Sequence, residues 1–272
     1  MANIRILYDN AIDRASLSAS SSAGALVVTN LQNDFKGQVW RATSNSATLA
    51  AVWAAPEKVG CVALPFCNLT AAATIRVRGY TNAADTVPAF DTGLRPACAF
   101  VPTDLYGFRG AAVNGYSFGA GAYAVAWFAP QMVTQLIVDI VDTSLPYVEA
   151  SRLVAGKYWS PEKNVDYGAT TGMMDASVHS RNDSGDLVTV RGKRHRTLTV
   201  NFTILTPADR AAVNAILRGN GLPKPLFVSL SPESTDGELE QSGQLYGKLS
   251  TLSNVAFSFF NNYATGMTFE EF

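Results

Sequence analysis

The sequence predicts a mainly β protein: an N-terminal β-sandwich (jelly roll) over residues 1–157, then an α+β domain over residues 158–272 with an antiparallel sheet and one helix. Three observations predict it. Short runs that alternate apolar and polar residues recur along the chain, as strands with one buried face do. Gly, Pro, Asn and Asp separate these runs throughout the first half. Near Gly156 the pattern changes, and a single capped amphipathic helix sits among the later strands.

In the first half, Ile4, Ile6 and Tyr8 alternate with Arg5 and Leu7 as a first strand. Ser16 to Ser22 is too small and polar to pack deeply and reads as a loop. Val39-Trp40-Arg41 opens a new segment. Leu49, Ala51 and Trp53 alternate up to the breaker Pro56, and Val59 to Leu64 is a short apolar run. Ala73, Ile75 and Val77 alternate with Thr74, Arg76 and Arg78, the clearest period-two strand of this half. Gln135 to Val141 is β-branched and apolar. Such short strands with turn residues between them suggest a sandwich or jelly roll.

Gly107 to Gly121 differs, with five glycines set among Tyr106, Phe108, Tyr116 and Phe118. It reads first as a long connection folded onto the sandwich. The alternative is a contact loop, with those four aromatics as candidate glycan or partner contacts. It lacks the Gly-Lys-Ser/Thr ending and the helix-opening spacing of nucleotide-binding loops.

In the second half, Asp186 to Arg191 reads as a strand. Gly192-Lys193 reads as a turn into a second strand, where Leu198, Val200, Phe202 and Ile204 alternate with polar residues, giving a hairpin with one buried face. Thr206 is the N-cap of the helix, Pro207 its first residue and Asp209 its first-turn acid. Val213, Ile216 and Leu217 form its apolar face, and Gly219 and Gly221 end it. Strands follow at Leu226–Leu230, around Tyr246, at Val255–Phe260 and at Thr265–Phe272, with a polar loop from Ser231 to Gly243.

The chain has 272 residues, is 47% hydrophobic and 16% charged, and carries 21 basic against 22 acidic residues. The apolar content supports a packed core rather than disorder. Near-neutral charge gives no global attraction to nucleic acid or anionic lipid. The low charged fraction is consistent with surface buried against other chains. Asp9 interrupts the start where a secretory signal needs an apolar run, and Tyr123–Ala129 is too short to span a bilayer, so a soluble protein made in a cytoplasm is expected. Cys61, Cys67 and Cys98 are odd in number and lack paired spacing, which predicts buried free thiols.

No pattern of catalytic residues emerges, and no enzyme, cofactor or metal is expected. His179 and His195 are the two histidines, and the cations around His195 make it a poor general base. Glu238, Glu240, Glu270 and Glu271 lie in a polar loop and at the end of the chain, with no pattern that pairs them for glycoside hydrolysis. Trp40, Trp53, Trp127 and Trp159 read as core residues before sugar platforms. Arg191, Lys193, Arg194 and Arg196 form a basic turn: either a solvated hairpin end or the candidate inter-subunit contact, facing acidic groups of a neighbour.

Several segments carry a resemblance. Asn30-Leu31 before Val39-Trp40-Arg41, the strand Thr74 to Gly79, Gln135 to Ile140 and Tyr147 to Gly156 resemble the galactose-binding (discoidin-like) jelly roll found in phage virion proteins. Tyr158 to Asn164, Tyr167-Gly168, the helix from Pro207, Lys224 to Val228 and the ending Phe269 to Phe272 resemble distal tail proteins of siphophage tail tips. The resemblance implies a structural component linking tail tube to tip. Its second domain would form a homo-oligomeric ring, six-fold, with the jelly roll facing outward. Its partners would be copies of itself, tail tube, hub and fibres, and its location the virion. Direct nucleic-acid binding and membrane association are not expected. The alternative is a carbohydrate-binding module for host-surface recognition.

Overall fold

The computed structural model describes residues 2–98 and 122–272. Its strands in chain order are β1 (Arg5–Leu7), β2 (Ser16–Ala19), β3 (Trp40–Arg41), β4 (Ser46–Cys67), β5 (Thr74–Tyr80), β6 (Phe90–Asp91), β7 (Arg95–Pro96), β8 (Ala122–Val141), β9 (Glu149–Ala150), β10 (Val154–Gly156), β11 (Tyr158–Trp159), β12 (Thr170–Asp175), β13 (Val178–Arg181), β14 (Leu187–Val190), β15 (Arg194–Leu205), β16 (Leu226–Ser229), β17 (Gln244–Leu249), β18 (Ala256–Phe259) and β19 (Asn262–Glu271). The helices are α1 (Pro207–Asn220) and α2 (Gly237–Ser242). The protein is mainly β, with a sandwich and a second antiparallel sheet bearing a helix.

Among the described residues the sandwich is one nine-stranded sheet built on the long ribbon β4–β8. Ser46–Val52 pair with Gln135–Val141, and Glu57–Cys67 pair with Ala122–Val133. The register breaks between Val52 and Glu57, at Pro56, which has no N–H to give the ladder. Both halves of the ribbon feed one core, with Leu49, Ala51 and Trp53 from before the break and Val59, Val62 and Leu64 from after it. Before the break β4 alternates buried and half-buried residues, whereas Val59 to Cys67 are buried without interruption. The apolar run read from the sequence is therefore a strand covered on both faces. On β5, Ile75 and Val77 face the core while Arg76 and Arg78 pair outside with Asp91 and Asp139.

The second sheet has the order β11-β1-β16-β17-β19-β15-β12, with β18 paired to β19. Here two expectations are corrected. The first strand, β1, does not belong to the sandwich: Ile6 lies opposite Val228 on one side and Trp159 on the other. A division at residue 157 thus does not separate the two sheets at the N-terminus, because a three-residue strand carries no sign of its partner in its own pattern. The expected hairpin about Gly192-Lys193 also does not form. β14 pairs with β13, while β15 pairs with β12 and β19. The chain runs out along β12, turns through β13–β14, and returns into β15.

Helix α1 starts as read. The Thr206 hydroxyl accepts from the Asp209 N–H at 3.2 Å, and the Asp209 carboxylate accepts from the Thr206 N–H at 3.3 Å. The same carboxylate takes the Trp159 indole N–H at 3.2 Å, which ties the cap to β11. Val213 and Ile216 are buried, and the helix continues through Gly219 to end at Gly221, whose φ of 54° suits glycine. Thr206→Ala should cost about 1 kcal/mol in thermal or urea unfolding, the usual worth of such a cap. The polar loop expected at Ser231–Gly243 contains α2, whose Gln241 is buried and donates its amide to the Tyr123 carbonyl at 3.0 Å.

Between the two sheets lies a shared seam. Cys61, Ala63, Phe66, Tyr123 and Trp127 of the sandwich pack on Leu7, Phe227 and Tyr246 of the second sheet. Phe227 stacks between Trp127 and Tyr123, at ring distances of 6.0 and 6.2 Å. Each such side chain contributes about 1.5–3 kcal/mol on burial. Cys61, Cys67 and Cys98 are buried thiols, and all four tryptophans are buried.

Candidate interaction surfaces

The four cations read as one basic turn are separated by the fold. Arg191, Lys193 and Arg194 are exposed, and Arg194 pairs with Asp175 at 2.9 Å. Hydrogen bonds from Ser177 and then from Arg194 hold the Asp175 carboxyl down at about 2. Arg196 points the other way. Its guanidinium is buried and meets the Glu271 carboxylate at 2.7 Å, so the expected cluster of four projecting cations is corrected to three. The reason is strand parity: Arg196 shares the inward face with Leu198, Val200 and Phe202.

Arg196 belongs instead to a polar group at the seam. Glu271 accepts from the Tyr123 hydroxyl at 2.7 Å as well as from Arg196. Burial pushes the Glu271 carboxyl up, but the hydrogen bond and charge of Arg196 outweigh this, and the net direction is down. Nearby, buried Arg152 donates to the Tyr246 hydroxyl at 3.0 Å and pairs with Asp13 at 2.7 Å. The Tyr246 hydroxyl in turn donates to Asp34 at 2.9 Å. These groups join the sandwich to the second sheet with satisfied charges, the condition for burying them.

The exposed cations lie at the base of a feature the sequence did not announce. Every residue of β12, β13 and β14 is exposed, including Met173, Met174, Val178, Leu187, Val188 and Val190. No residue of β13 or β14 belongs to any of the three cores. Among the described residues the strands pair only with each other, forming an arm. Its base is pinched: the Ala176 N–H donates to the Lys193 carbonyl at 3.2 Å, and the Gly192 N–H donates to the Ser177 hydroxyl at 2.9 Å. A Cβ at Gly192 would lie 2.2 Å from the Ala176 carbonyl carbon, so only glycine fits. Gly192→Ala should loosen the arm without unfolding the chain. The measurement is limited trypsin digestion, with faster cutting at Arg181 and Arg191 and a thermal midpoint close to that of the parent.

At the other end of β15 a second exposed apolar patch appears. Phe257 and Phe259 of β18, with Phe260 in the turn to β19, are 74, 80 and 94% exposed, the last nearly as open as in an extended chain. Ile204 of β15 is exposed as well. Arg210 of α1 lies under this flap, its guanidinium 4.6 Å from the Tyr263 ring and 5.8 Å from that of Phe257. Its Nε is buried, with no hydrogen-bond partner among the described residues.

Tyr106, Phe108, Tyr116 and Phe118 lie outside the described residues. Among the described residues no group of three or more His, Cys, Asp and Glu side chains could hold a metal ion. A cavity of about 280 Å³ opens between the sheets, lined in part by Cys98, Val125, Glu240, Gln241 and Gln244. Burial pushes the Glu240 carboxyl up.

No protein-family model matches the chain, and no curated protein matches it in sequence. Solved structures match in part. One is the chitosan-binding module 1 of a chitosanase/glucanase from Paenibacillus sp. IK-5, at 12% identity and a TM-score of 0.36, covering 55% of this chain and 99% of that one. Another is a Ruminococcus gnavus GH29 fucosidase, at 12% identity and a TM-score of 0.39, covering 57% of this chain but only 27% of that one. A third is CBM32-5 of a Clostridium perfringens GH89 protein, in complex with GalNAc-β-1,3-galactose, at 6% identity and a TM-score of 0.38, covering 55% and 100%. Likenesses this distant carry no statement about the ligand or activity of this chain.

Proposed function

We propose that the protein is a non-enzymatic structural subunit of a long-tailed phage tail tip, a distal-tail-like component between tail tube and tip. It assembles with copies of itself into a ring through its second sheet, with the sandwich facing outward. The observation that carries the assembly reading is the β13–β14 arm. A two-stranded hairpin alone in water is marginal at best. This one leaves Val178, Leu187, Val188 and Val190 open to solvent with no core of its own. A partner chain lying on it buries that surface and orders the arm.

The setting in a phage tail rests on the resemblance of the segments from Tyr158 to Asn164, Lys224 to Val228 and Phe269 to Phe272. The ring order of six and the neighbours, tail tube, hub and fibres, come with that resemblance. The test is negative-stain imaging of phage particles that carry the protein, labelled with antibody raised against it. Label confined to the tail end supports the reading, and label on the capsid or none on the particle overturns it.

A second reading, host-surface carbohydrate binding by the sandwich, is favoured by the jelly-roll resemblance of residues 30–156 and the aromatic loop at 106–118. The two roles are compatible. A glycan array probed with the full chain at high concentration decides it, and absence of binding to host surface polysaccharide rules it out.

A further inference from the structure

We infer that the arm of one copy docks on the Phe257–Phe260 flap of the next copy, head to tail. The inference rests on the assembly reading above and says which surfaces meet. The two surfaces sit at opposite ends of β15. β12 joins it at Asp175 opposite Arg194, and the flap joins it where Leu205 lies opposite Tyr263. A strand of 12 residues spans about 40 Å. A copy therefore cannot fold its own arm onto its own flap. Two different patches that meet between copies make a heterologous contact, which repeats into a closed ring or a filament.

The chemistry of the two surfaces is complementary. One face of the arm brings Val178, Val188 and Val190, and its tip carries Asp183. Asp186 at the same tip is already engaged, with Asn182 donating to it at 3.2 Å. Asp183 has no ion pair or hydrogen bond among the described residues. The flap brings three exposed phenylalanines, with Arg210 set against the rings of Phe257 and Tyr263. Arg210 also has no ion pair among the described residues. An arriving carboxylate gives that guanidinium the partner it lacks, while the aliphatic side chains of the arm cover the aromatic rings.

The experiment is disulfide trapping in the full chain, with assembly followed in parallel by sedimentation velocity. The native cysteines are buried, so Val188→Cys and Phe260→Cys supply the accessible thiols. Under mild oxidation the double variant should give a ladder of cross-linked dimers and larger species, while each single variant stays uncross-linked. Asp183→Arg should weaken association at least tenfold, and adding Arg210→Glu should restore part of it. A chain that assembles while the double variant gives no ladder overturns this contact and leaves the assembly reading standing. Cross-linked dimers from Val188→Cys alone show arms pairing with each other and also overturn it. A chain that stays monomeric at every concentration overturns both.

Discussion

Arg196→Ala should lower the stability of the chain by about 3–5 kcal/mol, the usual penalty for stranding a buried charge. The substitution leaves Glu271 with the Tyr123 hydroxyl and without its cation, in the seam where both sheets meet. Arg196→Met combined with Glu271→Gln should recover most of the loss, because no uncompensated charge then remains. Urea unfolding followed by tryptophan fluorescence measures both. The pair also sets a pH dependence. The Glu271 carboxyl titrates below its ordinary value in the folded chain. Its contribution is therefore complete above the ordinary glutamate range and is lost as pH falls through the depressed folded value. Glu271→Gln should flatten that part of the acid unfolding curve. An acid transition as steep as that of the parent would contradict the assignment.

Phe227→Ala should cost a similar amount, about 3–5 kcal/mol, the range for removing a buried aromatic ring. Phe227 is fully buried and stacks on Trp127 and Tyr123 across the seam. The effect should reach both sheets, because the ring belongs to the core they share. Hydrogen exchange should show lost protection in β8 and β17 together. Loss confined to the second sheet would mean that the seam contributes little to the sandwich.

What could be read from the sequence were the features whose causes are local. Ile75 and Val77 announced β5, and Leu198, Val200 and Phe202 announced β15, because alternation on a half-buried strand leaves its mark in the chain itself. The helix start at Thr206-Pro207 was equally plain, since the capping box lies within four residues. Pairings between distant segments were not legible. Nothing in Arg5–Leu7 says that its partners lie beyond residue 157. The arm was misread as one hairpin with β15, because Gly192-Lys193 looks like a turn. In the fold it is a pinch where the backbone of Ala176 passes. The inward turn of Arg196 was available from parity with Leu198 but was hidden by the run of cations around it. Exposure of Phe257, Phe259 and Phe260 was not legible, since adjacent aromatics in a strand read as core.

Sedimentation velocity of the full chain beside a variant with residues 177–191 replaced by a short Gly-Ser turn tests the assembly reading most directly. The link between Ala176 and Lys193 survives in that variant, so the sheet below it keeps its pairing. The expected result is a discrete oligomer for the parent and a monomer for the shortened chain, with the same circular dichroism and thermal midpoint. A parent that sediments as a monomer at every concentration, or a shortened chain that assembles as well as the parent, would contradict it.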